Sequence, residues 1–159
     1  MRCSLAAVTL VAVLLVACGG EATPTPTPEA TPTVTELATA YLKAASAANK
    51  ATDAASATWE KSKQTLTDAK RLAKAWSKAQ LTFIRAVQKI PWYGDFKPIA
   101  RRLLTYANQE YVLLRDAMYA TAWLDFYGTM ADLEKVSDKR AGASNELRIA
   151  LGLPPAPIK

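Results

Sequence analysis

Thr33 to Ile90 reads TVTELATAYLKAASAANKATDAASATWEKSKQTLTDAKRLAKAWSKAQLTFIRAVQKI, a run that contains neither glycine nor proline. Alanine, the residue that loses least on entering a helix, dominates it. Thr33-Val34-Thr35-Glu36 opens the run with capping-box spacing: a threonine oxygen for the third amide, and a glutamate three residues on that reaches back to the cap. Apolar or small residues then recur as Leu37, Tyr41, Ala44, Ala48, Ala51 and Ala55, and later as Leu66, Ala69, Ala73, Trp76, Phe83, Val87 and Ile90. Alternating steps of three and four mark one helical face, as in a bundle or a coiled coil. The phase slips by about one residue near Trp59 to Ser62. Read as one helix, the run spans ~85 Å at 1.5 Å per residue; a break near Asn49 to Trp59 divides it into two.

Working outward, Ile90-Pro91 ends the run and Trp92-Tyr93-Gly94 makes a turn. Asp95 stands where an N-cap belongs, and Pro98 falls in the first turn, where a missing amide hydrogen costs little. The spacing predicts a helix from about Phe96 to Tyr127, with a stripe of Ile99, Leu103, Tyr106, Ala107, Leu113, Leu114, Ala117, Met118 and Leu124. Tyr119, Trp123 and Phe126 form a second apolar face near its end, so the helix needs neighbours on more than one side. Gly128 suits a helix C′ position, and Thr129 to Asp132 a new N-cap. A last helix carries Met130, Leu133, Val136, Leu147 and Leu151, with a possible interruption at Gly142 to Asn145. Leu151-Gly152-Leu153-Pro154-Pro155 closes it with a glycine cap and a proline stop. No segment alternates with period two. The expected fold is all-α: an antiparallel helical bundle with a long first helix, of three helices, or four where one divides. The bundle covers residues 33–153, and 154–159 form a proline-rich tail.

Upstream of Thr33 the composition changes. Gly19 to Pro32 reads GGEATPTPTPEATP, with no apolar side chain larger than alanine or proline. Such a stretch buries too little to fold, and its prolines favour extended polyproline II at ~3.1 Å per residue, which makes it a disordered Thr/Pro spacer. Before it, Met1-Arg2 is a short positive start, and Leu5 to Ala17 is apolar except for Thr9. That length matches the apolar core of a secretory signal peptide and falls short of the ~20 residues of a membrane-spanning helix.

Leu15, Val16 and Ala17 before Cys18, followed by Gly19, resemble the lipobox of bacterial lipoprotein precursors. The resemblance covers about the first twenty residues. It implies that residues 1–17 are removed, that Cys18 is lipidated on sulfur and acylated at its new amino terminus, and that the chain is held at the extracytoplasmic side of a cell membrane. Two or more acyl chains hold a protein stably, where one holds it marginally. The other cysteine, Cys3, lies in the segment to be removed, so the mature chain forms no disulfide.

Removal of residues 1–17 takes Arg2 from the 20 Lys+Arg and leaves the 14 Asp+Glu, a net charge of +5. Histidine is absent. Without histidine or a free thiol, zinc sites, Ser-His triads and cysteine nucleophiles lose their usual groups. No Gly-rich phosphate loop, nucleophile elbow or metal-ligand cluster is present. The expectation is a protein without metal, cofactor or catalytic residues.

Basic residues are the densest charge. Between Lys61 and Arg102 eleven cations stand against Asp68 and Asp95. At about 100° per residue, Arg71, Lys74, Lys78, Arg85 and Lys89 fall within one sector, opposite Trp76, Phe83 and Val87. A solvated helix face accounts for this; a functional stripe would attract acidic polymer, anionic headgroups or an acidic partner. Nucleic acid is not expected for an exported chain. The turn sets Trp92, Tyr93 and Phe96 among Lys89, Lys97 and Arg101. Its aromatics either seal the bundle or form a contact surface, and with a continuous first helix this tip lies farthest from the lipid. Glu110 and Asp125 are carboxylates in the middle helix's apolar stripe, ~22 Å apart and too distant to act on one bond. A turn near Tyr93 brings Glu110 level with Trp76 to Gln80, predicting a Gln80–Glu110 or Lys–Glu110 contact.

Three functions fit this reading. The first is a surface lipoprotein whose bundle binds or scaffolds an envelope protein, a cell-wall polymer or an anionic surface. The second is a ligand carrier or envelope enzyme with a pocket among Trp76, Tyr106, Glu110 and Tyr111. The third is a self-associating protein using the alanine-rich face from Leu37 to Ala55.

Overall fold

In the computed structural model, residues 30–156 are described; the signal segment, Cys18 and most of the Thr/Pro spacer lie outside the described residues. Among the described residues there are four helices and no strand: α1 (Val34–Glu60), α2 (Leu66–Gln88), α3 (Phe96–Tyr119) and α4 (Trp123–Ala150). Each packs on the next in chain order. Cross-links run antiparallel: Lys70 with Ala120 and Gln80 with Glu110 between α2 and α3, then Arg102 with Glu146 and Glu110 with Ser137 between α3 and α4. The order is up-down-up-down.

The Gly/Pro-free run is therefore two helices, not one long one, and the break falls at Lys61–Thr65, later than Asn49 to Trp59. Its cause is local chemistry. Thr65 Oγ1 accepts from the Asp68 amide at 3.2 Å, and Asp68 Oδ2 accepts from the Thr65 amide at 3.2 Å, a second capping box. Gln64 takes a left-handed φ of 53°, and the Ser62 hydroxyl donates to the Trp59 carbonyl at 2.8 Å, closing α1. The phase slip near Trp59 to Ser62 marks this junction. Thr33 and Glu36 cap α1 in the same manner, with the Thr33 amide donating to Glu36 Oε2 at 2.7 Å.

The second correction concerns α3, which ends at Tyr119 instead of continuing to Tyr127. The turn is Ala120 to Ala122, and Asp125 starts α4 by accepting from the Thr121 hydroxyl at 2.9 Å and the Ala122 amide at 3.2 Å. Asp125 is thus a helix-start acid and not part of the α3 stripe; Leu124, expected in that stripe, is 84% exposed. Gly128 caps nothing, and Gly142 interrupts nothing: both lie inside α4. Asp95 occupies the N-cap position of α3 but makes no side-chain cap bond.

The expected end of α4 is present. Leu153 N donates to Arg148 O at 2.8 Å and Gly152 N to Ile149 O at 3.0 Å, with Gly152 at φ 71°. This is a Schellman cap, which needs a residue that tolerates a left-handed backbone. Residues 154–156 fold back on α4, through Arg148 Nε to Pro154 O at 2.6 Å and Ala156 N to Asn145 Oδ1 at 2.9 Å.

Two apolar clusters make up the core. At the base, where α1 begins and α4 ends, Leu37, Tyr41, Phe83, Ile84, Val87, Ile90, Leu103, Leu147 and Leu151 are buried together. Each large side chain so buried contributes ~1.5–3 kcal/mol. At the crown, where α1 meets α2 and α3 meets α4, a smaller cluster joins Ala69, Ala73, Ala117, Ala120 and Phe126, flanked by Trp59, Leu66 and Trp123. Burial in α1 stops at Ala48, because its later face presents only alanine, serine and threonine until Trp59.

Candidate functional site

α2 buries Ala69, Ala73, Phe83, Ile84 and Val87, which leaves Arg71, Lys74, Lys78, Arg85 and Lys89 exposed on its outer side. Arg71 Nη1 lies 2.8 Å from Asp68 Oδ1. That carboxylate is held below its usual range by the Thr65 hydroxyl, then by the Thr65 amide and Arg71. Lys74, Lys78, Arg85 and Lys89 have no acidic partner within ion-pair distance among the described residues. The sector is a continuous basic strip running from crown to base.

The aromatic tip is packed inward. Trp92 Nε1 donates to the Val87 carbonyl at 2.9 Å, and the Tyr93 and Phe96 rings meet edge to face at 5.5 Å. Trp92, Tyr93 and Phe96 are half-buried against the basal cluster, so they close the bundle's end while keeping part of each ring in solvent. Lys89, Lys97 and Arg101 stand exposed around them. Because the Gly/Pro-free run is two helices, this tip lies at the same end as Thr33, not at the opposite end. That reverses the expectation for a continuous first helix.

Glu110 is 3% exposed and lies between the two apolar clusters. Gln80 Nε2 donates to its Oε2 at 2.6 Å and also to the Ala107 carbonyl at 3.2 Å. Ser137 Oγ donates to Oε1 at 2.5 Å. Arg140 Nε stands 2.6 Å from Oε2, off the N–H axis, so this contact is a Coulombic pair and not a hydrogen bond. Three helices thus meet at one carboxylate: α3 carries it, α2 supplies Gln80, and α4 supplies Ser137 and Arg140. With both oxygens engaged and Asp125 at the crown, the two carboxylates are not arranged to work on one bond.

Concavities lie elsewhere. One groove of about 190 Å³ runs between Ala55, Trp59, Leu72 and Ala75, and another of about 580 Å³ lies over Asn108, Val112, Leu113, Val136 and Lys139. Neither is lined by Trp76, Tyr106, Glu110 or Tyr111. Tyr106 and Tyr111 pack against the basal cluster, and Trp76 Nε1 is buried without a partner. Among the described residues no group of three or more acidic or cysteine side chains is placed to hold a metal, and no helix is long and apolar enough to cross a membrane.

The crown carries what the sequence reading missed. Tyr119 is 69% exposed and Tyr127 62% exposed, beside the outward-pointing Leu124. Trp123 and Tyr127 stack at 5.2 Å with planes 20° apart. The signal was available in Thr121-Ala122-Trp123-Leu124-Asp125, where a threonine and an acid bracket a helix start without glycine or proline. Comparison with protein-family models, characterised proteins and solved structures finds no match to this chain.

Proposed function

We propose that the chain is a bacterial surface lipoprotein, held in the membrane by acyl groups on Cys18, whose helical bundle binds or scaffolds and does not catalyse. The observation that carries the reading is Leu15-Val16-Ala17-Cys18-Gly19 behind an apolar run too short to span a bilayer. The Thr/Pro-rich composition of residues 19–32 supports it, since such a sequence serves as a spacer between an anchor and a fold. The exposed Tyr119, Leu124 and Tyr127 at the crown support a binding role, because exposed apolar surface marks interaction sites when it is contiguous. The closure of the Glu110 carboxylate on its own neighbours gives no support to the enzyme or carrier reading. The inward packing of Leu37, Tyr41, Ala44 and Ala48 removes most of the face that self-association would use.

Mass spectrometry of the polypeptide purified from the producing cell tests the anchor: a chain starting at Cys18 with two or three acyl groups is expected. A chain that retains residues 1–17, or one cut without acylation, overturns it. For the binding role, the bundle immobilised by its C-terminus should retain an envelope component from detergent extract, and a Tyr119→Ser, Leu124→Ser, Tyr127→Ser variant should not.

A further inference from the structure

We infer that the base of the bundle is a second, electrostatic membrane contact, made by Lys89, Lys97 and Arg101 with the anionic headgroups of the bilayer in which the chain is anchored. The inference rests on the lipoprotein reading for its setting.

Two observations lead to it. The first is where the chain leaves the described structure: the residues before Thr33 join α1 at the base, so an anchor at Cys18 draws this end toward the bilayer. The 14 residues from Gly19 to Pro32 can span no more than ~50 Å, so an anchor at Cys18 keeps the base within that distance of the surface. The second is charge. Lys89 ends α2, Lys97 and Arg101 stand one turn apart at the start of α3, and all three are exposed without an ion-pair partner among the described residues.

Of the acidic groups at the base, only Glu146 is charge-compensated, by Arg102; Glu36 is hydrogen-bonded to the uncharged Thr33 and Asp95 is exposed in the turn, so the three cations face two uncompensated carboxylates. Half-buried Trp92 and Tyr93 sit within the cationic collar, a pairing of residue types that favours the headgroup region. Each cation near an anionic surface is worth roughly fivefold in partitioning, so three give on the order of 100-fold. A single weak contact of this size becomes effective when a tether holds it close.

The test uses the chain from residue 18 onward with Cys18→Ser, which keeps the whole bundle and removes the lipid, so its outcome is separate from whether Cys18 is acylated. Sedimentation with vesicles of phosphatidylcholine and phosphatidylglycerol should show binding that disappears with phosphatidylcholine alone. Lys89→Glu, Lys97→Glu, Arg101→Glu should lower partitioning by ~100-fold or more, since reversal removes three attractions and adds repulsion. Arg71→Glu, Lys74→Glu, Lys78→Glu changes net charge equally but acts toward the crown, and should cost tenfold or less. Circular dichroism on both variants reports folding. Equal losses would show that total charge or the α2 strip governs binding and would overturn the assignment to the base, as would absence of binding by the parent chain.

Discussion

Tyr41 Oη and Ser144 Oγ lie 2.7 Å apart, joining the first helix to the last across 103 residues of sequence. Tyr41 is 1% exposed, so its hydroxyl needs this partner. Replacement with phenylalanine keeps the ring contact with Phe83 and removes the bond. Tyr41→Phe should lower unfolding free energy by about 1 kcal/mol. Ser144→Ala should cost a similar amount, and the double variant less than the sum, because both report one bond. Urea titration of all four chains checks it; full additivity would show that the two groups do not interact.

Glu110 offers a sharper contrast. Glu110→Ala strands Gln80, Ser137 and a two-thirds-buried Arg140, and should cost about 3 kcal/mol, the lower end of the range for breaking a buried pair. Replacing the whole group by Gln80→Leu, Glu110→Leu, Ser137→Ala and Arg140→Met should cost less than the single change, since apolar packing substitutes for a desolvated network. A quadruple variant less stable than Glu110→Ala would contradict this account.

Acid should weaken the helix starts. Glu36, Asp68 and Asp125 are each held below their ordinary values of 4.5, 3.8 and 3.8: Glu36 first by the Thr33 amide, Asp68 by the Thr65 hydroxyl, and Asp125 by the Thr121 hydroxyl. A carboxylate with a lowered folded pKa stabilises fully above its unfolded value, and the benefit is lost as pH falls through the folded one. Unfolding midpoints should therefore hold steady above about pH 5 and decline below about pH 4.5. Glu36→Gln, Asp68→Asn, Asp125→Asn should flatten that decline; an unchanged acid limb would place its origin elsewhere.

Glycines should answer with opposite signs. A Cβ at Gly128 or Gly142 meets nothing within 4 Å, and both residues are helical. Alanine at either should stabilise by about 0.5–1 kcal/mol. Gly152, at φ 71°, is the Schellman residue, and alanine there should destabilise by about 1 kcal/mol. Thermal melts of the three single variants decide the matter. If Gly128→Ala lowers the melting point, that residue ends a helix after all.

The sequence was most readable where one local rule decided the outcome. Period and capping chemistry marked α1's start and α4's end, and the Pro91–Gly94 turn set α2 against α3 closely enough to bring Gln80 level with Glu110. The other partners, Ser137 and Arg140, were out of reach because the next turn was placed at Gly128. A helical glycine and a capping glycine look alike in one dimension; the difference is the φ that packing selects. The α1–α2 break was written as Thr65-Leu66-Thr67-Asp68, with the same spacing that revealed Thr33 and Glu36, but an alanine-rich run without glycine or proline concealed it. The exposure of the crown's aromatics is hidden by the same misplaced turn, since residues read as one helix belong to two.

An even number of helices returns the polypeptide to the side from which it set out, so Thr33 and Leu153 emerge together. A force between the two termini would open the bundle as a zip opens, parting the basal contacts of Leu37 and Leu151 and then the Tyr41–Ser144 bond. Helices loaded in that way yield one bond at a time instead of sharing the strain in shear. A molecule built like this is poorly suited to serving as a link in a chain under tension.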